Sequence, residues 1–178
     1  SPFIFGSIAS DSYVQVDLQQ FANPGFETGN AGDEPTSWLV AKAGTATGVI
    51  TTTAGEFETG SKGCRLTAGT GSATVYQTIT MAAGESFSIS ARVKDLGAGV
   101  AGFHVRNLRT GNYWNGSAWV AGSSNIAITV TGAFATQQKT VALESFEVCG
   151  ADTVQVVVGI TCSAGVVAAD TMLEIAGL

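Results

Sequence analysis

Strict alternation of apolar and polar side chains is the feature that most constrains the fold of this chain. Phe87, Ile89, Ala91 and Val93 alternate with polar or charged residues, and residues 154–160 place a valine or isoleucine at every second position. A repeat of two residues is the period of a β-strand with one buried face. The helical period of 3.6 residues is nearly absent, so the sequence predicts an all-β fold.

Eight further segments carry strand-forming residues between turn signals. They are residues 38–40, 49–53, 64–67, 75–81, 103–108, 126–130, 139–146 and 171–175. Short turn signals separate many of these runs, for example at residues 60–63, 82–85, 97–99 and 149–152. About nine or ten strands at this spacing predict a two-sheet jelly-roll sandwich, and 178 residues suit one such domain.

The first 22 residues differ from the rest of the chain. We predict an extended N-terminal arm over residues 1–22 and the sandwich domain over residues 23–178. The arm is apolar, and Phe3, Phe5 and Tyr13 are its candidate partner contacts. Such a segment either packs on its own domain or pairs with the edge strand of a neighbouring chain, and the second alternative would make the protein an assembly component.

Charge and composition exclude several classes of partner. The chain has 8 basic and 14 acidic residues, a net charge of -6 and no basic run, so we expect no nucleic-acid partner. It lacks the roughly 20 uninterrupted apolar residues of a membrane-spanning helix, so we expect no membrane insertion. Only 12% of the residues are charged, and a surface of this kind is weakly protected against self-association. That property suits a protein packed against copies of itself or a partner.

The three cysteines are predicted to be reduced and to lie in or near the core. Cys149 and Cys162 flank one predicted strand, whose rise of about 3.3 Å per residue carries its ends beyond disulfide reach. Because the chain has three cysteines, one thiol would remain without a partner whichever pair formed a bridge. Reduced thiols favour folding in a reducing compartment.

A motif near the start of the domain resembles a known family. The string Asn23-Pro24-Gly25-Phe26-Glu27-Thr28-Gly29, followed by Trp38, is similar to the opening of the β-sandwich carbohydrate-binding modules attached to plant-polysaccharide hydrolases. The closing residues 154–173 and the strands at 75–79 and 87–93 resemble the same family, so the resemblance covers about residues 23–178. It implies a sandwich fold, which many viral and cell-surface proteins share without the sugar site.

The resemblance also implies one structural calcium ion. In that family the opening Glu and the closing Asp commonly hold Ca²⁺ with backbone carbonyls, which corresponds here to Glu27 and Asp170. The sequence departs from the family at Ala169, where a second Asp is frequent. The alternative is that Glu27 caps the turn at Gly29 and that Asp170 is solvated.

An aromatic segment at residues 111–119 is the second informative string. Asn115-Gly116 predicts a two-residue hairpin turn with aromatic residues on either side, a pattern similar to hairpins of bacteriophage structural proteins. Exposed aromatic rings would also suit a sugar ligand. The candidate ligand contacts are therefore Tyr113, Trp114 and Trp119, although packing within the hairpin is the alternative role that we favour for them.

No catalytic constellation is visible in the sequence. His104 is the one histidine, so no zinc site of ordinary composition is expected, and we predict that it lies on a strand surface. The acidic pairs at residues 33–34, 56 with 58, and 144 with 147 are expected to be solvated, because glycosidase chemistry needs two carboxyls facing each other across a cleft. No nucleophile elbow, phosphate-binding loop or metal motif occurs, so we predict that the protein is not an enzyme.

Two functions remain from the sequence. The first is a capsid cement or decoration protein on the virion exterior, which stabilises the shell by contacting the major capsid protein or copies of itself. The apolar arm, the low charge and the aromatic hairpin favour it. The alternative is a secreted carbohydrate-binding module that holds a polysaccharide on exposed aromatic rings, and the opening motif favours that function.

Overall fold

The computed structural model describes residues 21–82, 85–142 and 153–176, and these residues form ten strands. The strands are β1 Leu39–Lys42, β2 Thr47–Thr51, β3 Gly63–Thr67, β4 Ala73–Ala82, β5 Ser86–Asn107, β6 Tyr113–Trp114, β7 Trp119–Val120, β8 Ile126–Ile128, β9 Ala135–Ala142 and β10 Thr153–Ala176. Every pairing between them is antiparallel. The described ranges contain no helix, so the predicted all-β class is confirmed. Consequently, none of these residues belongs to a helix long and apolar enough to cross a bilayer.

Two long strands run through both layers of a curled sheet. The first half of β10 pairs with β4, and its second half pairs with β3. The first half of β5 pairs with β9, whereas its second half pairs with β8 and β6. The first layer therefore has the order β1-β4-β10-β5-β6-β7, and the second has the order β2-β3-β10-β5-β9. This arrangement agrees with the predicted jelly-roll sandwich.

Bulges make the corner where the long strands change layers. The register between β10 and β5 shifts four times between Cys162 and Thr171, and such bulges bend a strand. At the same corner, Ala98 has a φ of +48° and Gly165 has a φ of +60°. A Cβ on Gly165 would lie 2.3 Å from the carbonyl oxygen of Ala98. The prediction that a turn at residues 97–99 separates two strands is therefore wrong. The glycines of this segment form a bend inside the single strand β5.

The alternating residues of β5 and β10 form the core. Phe87, Ile89, Ala91 and Val93 are all buried, as their period predicted. On β10, residues 154, 156, 158 and 160 are buried in the same way. Each fully buried side chain of this size contributes about 1.5–3 kcal/mol relative to its exposed state.

The opening motif closes one end of this core. The Asn23 amide donates to the backbone carbonyls of Thr28 and Thr36 at 3.0 and 2.9 Å, and its Oδ1 accepts the N–H of Thr28 at 3.0 Å. The Trp38 indole donates to the Asn23 carbonyl at 2.9 Å. Phe26 is fully buried, with its ring centroid 5.0 Å from that of Trp38. The motif therefore has a structural role.

Residues 21 and 22 lie against the sandwich itself. The Phe21 ring packs 5.2 Å from Trp38 in the core, and Ala22 exchanges two hydrogen bonds with the Gln77 side chain on β4. The arm residues Phe3, Phe5 and Tyr13 lie outside the described residues.

The thiols agree with their prediction where the structure describes them. Cys64 and Cys162 are both buried and free. Cys149 falls outside the described residues.

Candidate functional site

The outward face of the first layer carries a cleft of about 460 Å³. Its floor follows from strand pairing, which sets outward-facing residues of adjacent strands side by side. One row crosses β1, β4, β10 and β5 and consists of Leu39, Tyr76, Gly159 and His104. The next row crosses β4, β10, β5 and β6 and consists of Thr78, Val157, Arg106 and Tyr113. Leu39 and Leu108 are exposed apolar residues in the lining.

Gly159 allows β4 and β10 to pack closely beside the cleft. A Cβ at this position would lie 2.2 Å from the Val75 carbonyl oxygen and 2.7 Å from the Tyr76 Cβ. Any side chain here would also project from the outward face, since Val158 and Ile160 point into the core. The absence of a side chain therefore lets Val75 and Tyr76 of β4 approach β10 closely at this point of the sheet.

His104 lies beside Tyr113 and is neutral at pH 7. The two ring centroids are 5.6 Å apart in an edge-on arrangement, and Nδ1 of His104 lies 3.2 Å from Oδ1 of Asn125. Burial lowers the pKa of His104 below its ordinary value, and the positive charge of Arg106 adds to this shift, whereas the Asn125 hydrogen bond opposes it. When Nδ1 donates to Asn125, the lone pair of Nε2 remains available as a hydrogen-bond acceptor.

Arg106 is held over an aromatic ring. Its Cζ lies 5.3 Å from the centroid of the Tyr113 ring, within the range of a cation–π contact. Its Nε is buried and has no hydrogen-bond partner among the described residues. No described carboxylate forms an ion pair with it. The guanidinium is therefore oriented by Tyr113 and retains unused donors.

The three aromatic residues predicted as ligand contacts do not share one face. Tyr113 lines the cleft, but Trp114 follows it on β6 and points into the core with 8% exposure. Trp119 is half-buried, packs 5.4 Å from Trp114 and donates from its indole to the Ala142 carbonyl at 2.6 Å. Successive residues of a strand point to opposite faces, so only Tyr113 faces the cleft. Trp114 and Trp119 have the alternative role, packing within the hairpin.

The hairpin itself differs from the predicted two-residue turn. Trp114 pairs with Trp119, which leaves four loop residues at 115–118. The Asn115 Oδ1 accepts the N–H groups of Ser117 and Ala118, both at 2.9 Å. These side-chain bonds stabilise the wider loop, which is why the Asn-Gly pair does not form the tight turn.

Sequence reasoning missed Tyr76 and Arg106 and assigned no ligand role to His104. The prediction that His104 lies on the surface of a strand is confirmed. The alternation of faces along a strand also places Tyr76 and Arg106 at outward-facing positions. What the sequence lacked was the pairing of β4, β10 and β5, which brings the three side chains to one surface.

The carboxylate of Glu27 lies against the loop of residues 58–62, which connects β2 and β3 in the second layer. Its Oε1 accepts the N–H groups of Ser61 and Lys62 at 2.9 and 3.1 Å, and its Oε2 accepts the Ser61 hydroxyl at 2.7 Å. Burial tends to raise the pKa of Glu27, but the Ser61 and Lys62 hydrogen bonds and the Lys62 charge together lower it. Glu27 thus holds this loop, and not the turn at Gly29.

Asp170 holds the other end of the same loop. Its Oδ2 accepts the N–H groups of Glu58 and Thr59, both at 2.9 Å, and its Oδ1 lies 3.3 Å from Nε of Arg92. The carboxylate is fully buried, which contradicts the alternative that it is solvated.

These surroundings do not fit a calcium ion well. Ca²⁺ takes six to eight oxygen ligands, whereas N–H groups and a guanidinium face the oxygens of Glu27 and Asp170. No group of three or more His, Cys, Asp and Glu residues in the described ranges could hold a metal. The Arg92 and Lys62 charges stand close to the two carboxylates instead. Calcium at this pair stays a prediction.

Glu56 also departs from its expected solvated position. It is buried, its Oε2 accepts the Thr51 hydroxyl at 2.5 Å, and its Oε1 pairs with the Arg65 guanidinium. Glu56 therefore serves as the acceptor for the Thr51 hydroxyl and the Arg65 guanidinium.

Comparison with known proteins identifies the fold. No protein family and no curated protein matches the sequence. The chain is similar over 89% of its length to the enzymatically active domain of tailspike protein 4 of bacteriophage CBA120, with 19% identity and a TM-score of 0.61, and it spans 21% of that chain.

Two carbohydrate-binding modules share the fold over nearly their whole length. The CBM22-1 xylan-binding domain of Paenibacillus barcinonensis Xyn10C has 15% identity and a TM-score of 0.59, with 86% of this chain and 91% of that chain covered. TmCBM61, solved in complex with β-1,4-galactotriose, has 12% identity and a TM-score of 0.52, with 89% and 99% covered. A Stig cyclase of Fischerella sp. TAU is similar too, with 16% identity, a TM-score of 0.58 and coverage of 89% and 97%. At these identities the likeness shows a shared β-sandwich fold.

Proposed function

We propose that this domain binds a carbohydrate chain in the cleft on the first layer and performs no catalysis there. The observation that carries the proposal is the cleft on the outward face, whose lining includes the aromatic residues Tyr76 and Tyr113. Aromatic rings supply apolar area that fits the flat faces of pyranose rings, and the polar His104 and Arg106 supply directional hydrogen bonds. Ligand sites combine apolar walls with a few placed polar groups in this way, and the volume of about 460 Å³ lies within their usual range.

The fold comparisons support the same proposal. Two of the similar structures are named for a xylan-binding domain and for a complex with galactotriose, and each is covered over at least 91% of its chain. The alternative function predicted from the sequence is glycan binding, with aromatic residues of the hairpin as the candidate ligand contacts. Of those candidates, only Tyr113 lines the cleft, and the second aromatic residue of the lining is Tyr76.

The lining of the cleft argues for binding without hydrolysis. Glycoside hydrolysis uses two carboxyl groups on either side of the scissile bond. None of the described residues that line the cleft is acidic. A bound chain would therefore meet hydrogen-bond donors and rings, and no general acid or nucleophile of the usual type.

The experiment is a binding titration with soluble polysaccharides, including xylan, β-1,4-galactan and acidic glycans, by affinity electrophoresis and calorimetry. We expect Tyr76→Ala and Tyr113→Ala each to weaken binding about tenfold or more, which corresponds to about 1.4 kcal/mol for an aromatic contact. Phe134→Ala is the matched control, since Phe134 lies near Arg92 and Lys94 outside the cleft lining. Far-UV circular dichroism verifies folding of each variant. If no glycan binds, or if both tyrosine variants bind like the unaltered protein, the proposal is wrong.

The capsid cement function stays a prediction from the sequence. Its apolar arm residues Phe3, Phe5 and Tyr13 lie outside the described residues, and no structure named above is a capsid protein. Its partners, the major capsid protein or copies of this chain, are likewise predictions. A glycan ligand fits a domain exposed outside the cell or on a virion surface, so the proposed activity is compatible with both of the predicted locations.

A further inference from the structure

The charge of the cleft differs from the charge of the whole protein. The chain carries a net charge of -6, but Arg106 is the one charged side chain among the described residues that line the cleft, since His104 is neutral at pH 7. No carboxylate lines the cleft to compensate for it. A bound chain would therefore meet a local positive charge on an otherwise acidic protein.

Other arginines of the structure show what Arg106 lacks. Arg65 pairs with Glu56, and Arg92 pairs with both Glu58 and Asp170. Arg106 forms no ion pair within the described part of the chain, and its buried Nε has no hydrogen-bond partner there. A buried donor without a partner costs free energy, and the burial of Nε leaves the terminal N–H groups of Arg106 as the donors for a ligand oxygen.

The environment of Arg106 also fixes its orientation. Tyr113 lies against the guanidinium at 5.3 Å, and Arg106 stands on β5 in the second row of the cleft, paired with Tyr113. Because Nε is buried, the edge formed by the two terminal Nη groups is the part of the guanidinium left for a ligand. That edge is a planar fork which matches the two oxygens of a carboxylate and also binds other oxyanions.

Resting on the proposed glycan-binding function, we propose that the cleft selects an acidic polysaccharide, whose anionic oxygen group binds the unpaired guanidinium of Arg106. The anionic group is a uronate carboxylate or a sulfate ester, and the carboxylate matches the fork geometry better. The sugar rings pack on Tyr76 and Tyr113, so that recognition uses rings for affinity and Arg106 for selection.

The test compares matched pairs of polymers that differ only in charge. Polygalacturonate is compared with its fully methyl-esterified form, and dextran sulfate with dextran. Titrations at about 0.15 M salt limit the Debye length to about 8 Å, which screens distant acidic groups more than the direct contact. We expect at least one acidic polymer to bind tenfold or more tightly than its neutral counterpart, and the preferred pair identifies carboxylate or sulfate.

Variants assign the selection to Arg106. Arg106→Gln is expected to abolish the preference for the acidic polymer, and Arg106→Lys to retain part of it, because a point charge replaces the fork. Lys139→Gln is the matched control, since it removes one positive charge from an exposed position on β9 and should preserve the preference.

Each remaining outcome is decisive. Equal binding of acidic and neutral polymers, with loss in the Tyr76 and Tyr113 variants, overturns the acidic selection and leaves glycan binding intact. A preference that survives Arg106→Gln also overturns the role of this residue. Absence of binding to every polymer overturns both proposals.

Discussion

The Nε of Arg92 lies 3.3 Å from Oδ1 of Asp170, a carboxylate that the fold buries completely. Asp170 occupies one of the register shifts of β10, between the paired residues Ala169 and Thr171. The bulge frees its side chain from the regular alternation and directs it to the N–H groups of Glu58 and Thr59. A residue that the family resemblance links to calcium therefore acts here as an acceptor for backbone and guanidinium donors.

Removal of this carboxylate should destabilise the domain. We expect Asp170→Ala to lower the free energy of unfolding by about 2–4 kcal/mol, because two backbone donors and Arg92 lose their acceptor. Urea denaturation measures the change. Glu58→Gln is the control, since its ion pair with Arg92 is more exposed and should contribute less than about 1 kcal/mol. Equal stability of Asp170→Ala and the unaltered protein would contradict this role.

Calcium should have little effect on stability if the protein donors occupy the two carboxylates. We expect the melting temperature in millimolar Ca²⁺ to agree with that in EDTA within about 1 °C, with Mg²⁺ as the control ion. Specific binding at a hundred times its dissociation constant would add about 2.7 kcal/mol, or roughly 5–10 °C for a domain of this size. A calcium-specific rise of that order would show that Glu27 and Asp170 rearrange around the ion.

Gly159 should be sensitive even to a methyl group. Gly159→Ala places a Cβ against the Val75 carbonyl and Tyr76, so we expect a loss of about 1–3 kcal/mol in the free energy of unfolding and weaker glycan binding. Gly132→Ala has no atom within 4 Å of its Cβ and should change stability by less than about 0.5 kcal/mol. Chemical denaturation of the two variants tests the difference. An equally small loss of unfolding free energy in both variants would mean that β4 moves away from the new methyl group at Gly159 with little cost.

The buried thiol of Cys64 should make the domain sensitive to alkali. Burial raises the pKa of Cys64 from 9.0 to about 12. Above pH 9 the unfolded chain releases this proton while the folded chain retains it, so stability falls as pH rises, by up to about 1.4 kcal/mol per pH unit. Urea denaturation at pH 7.5 and pH 10 measures the slope.

The Cys64→Ala variant is the comparison for that slope. It should be less stable at pH 7.5 because of the cavity, yet lose less stability between the two pH values. Cys162, whose pKa burial also raises, retains part of the dependence. An equal loss in both proteins would assign the alkaline effect to other groups.

The candidate site shows where sequence reasoning succeeded and where it failed. Along β5, Phe103 and Val105 point inward and the predicted surface residue His104 points outward, because alternation is a local property of an extended backbone. Tyr113 was found by its aromatic neighbours. Composition did not tell that the neighbouring Trp114, the other residue of this two-residue strand, is the one that points inward.

The sequence by itself determined the all-β class of the fold and the inward-facing residues of β5 at positions 87–93 and of β10 at positions 154–160, since both depend on a period of two along one strand. Only the tertiary structure decided that Tyr76, Gly159 and His104 form one row and that Asp170 leaves its strand's alternation. The register between strands depends on how all of them pack around a shared core, and bulges shift it by single residues. Strand register and bulges therefore produce no periodic pattern within the individual strands that they pair.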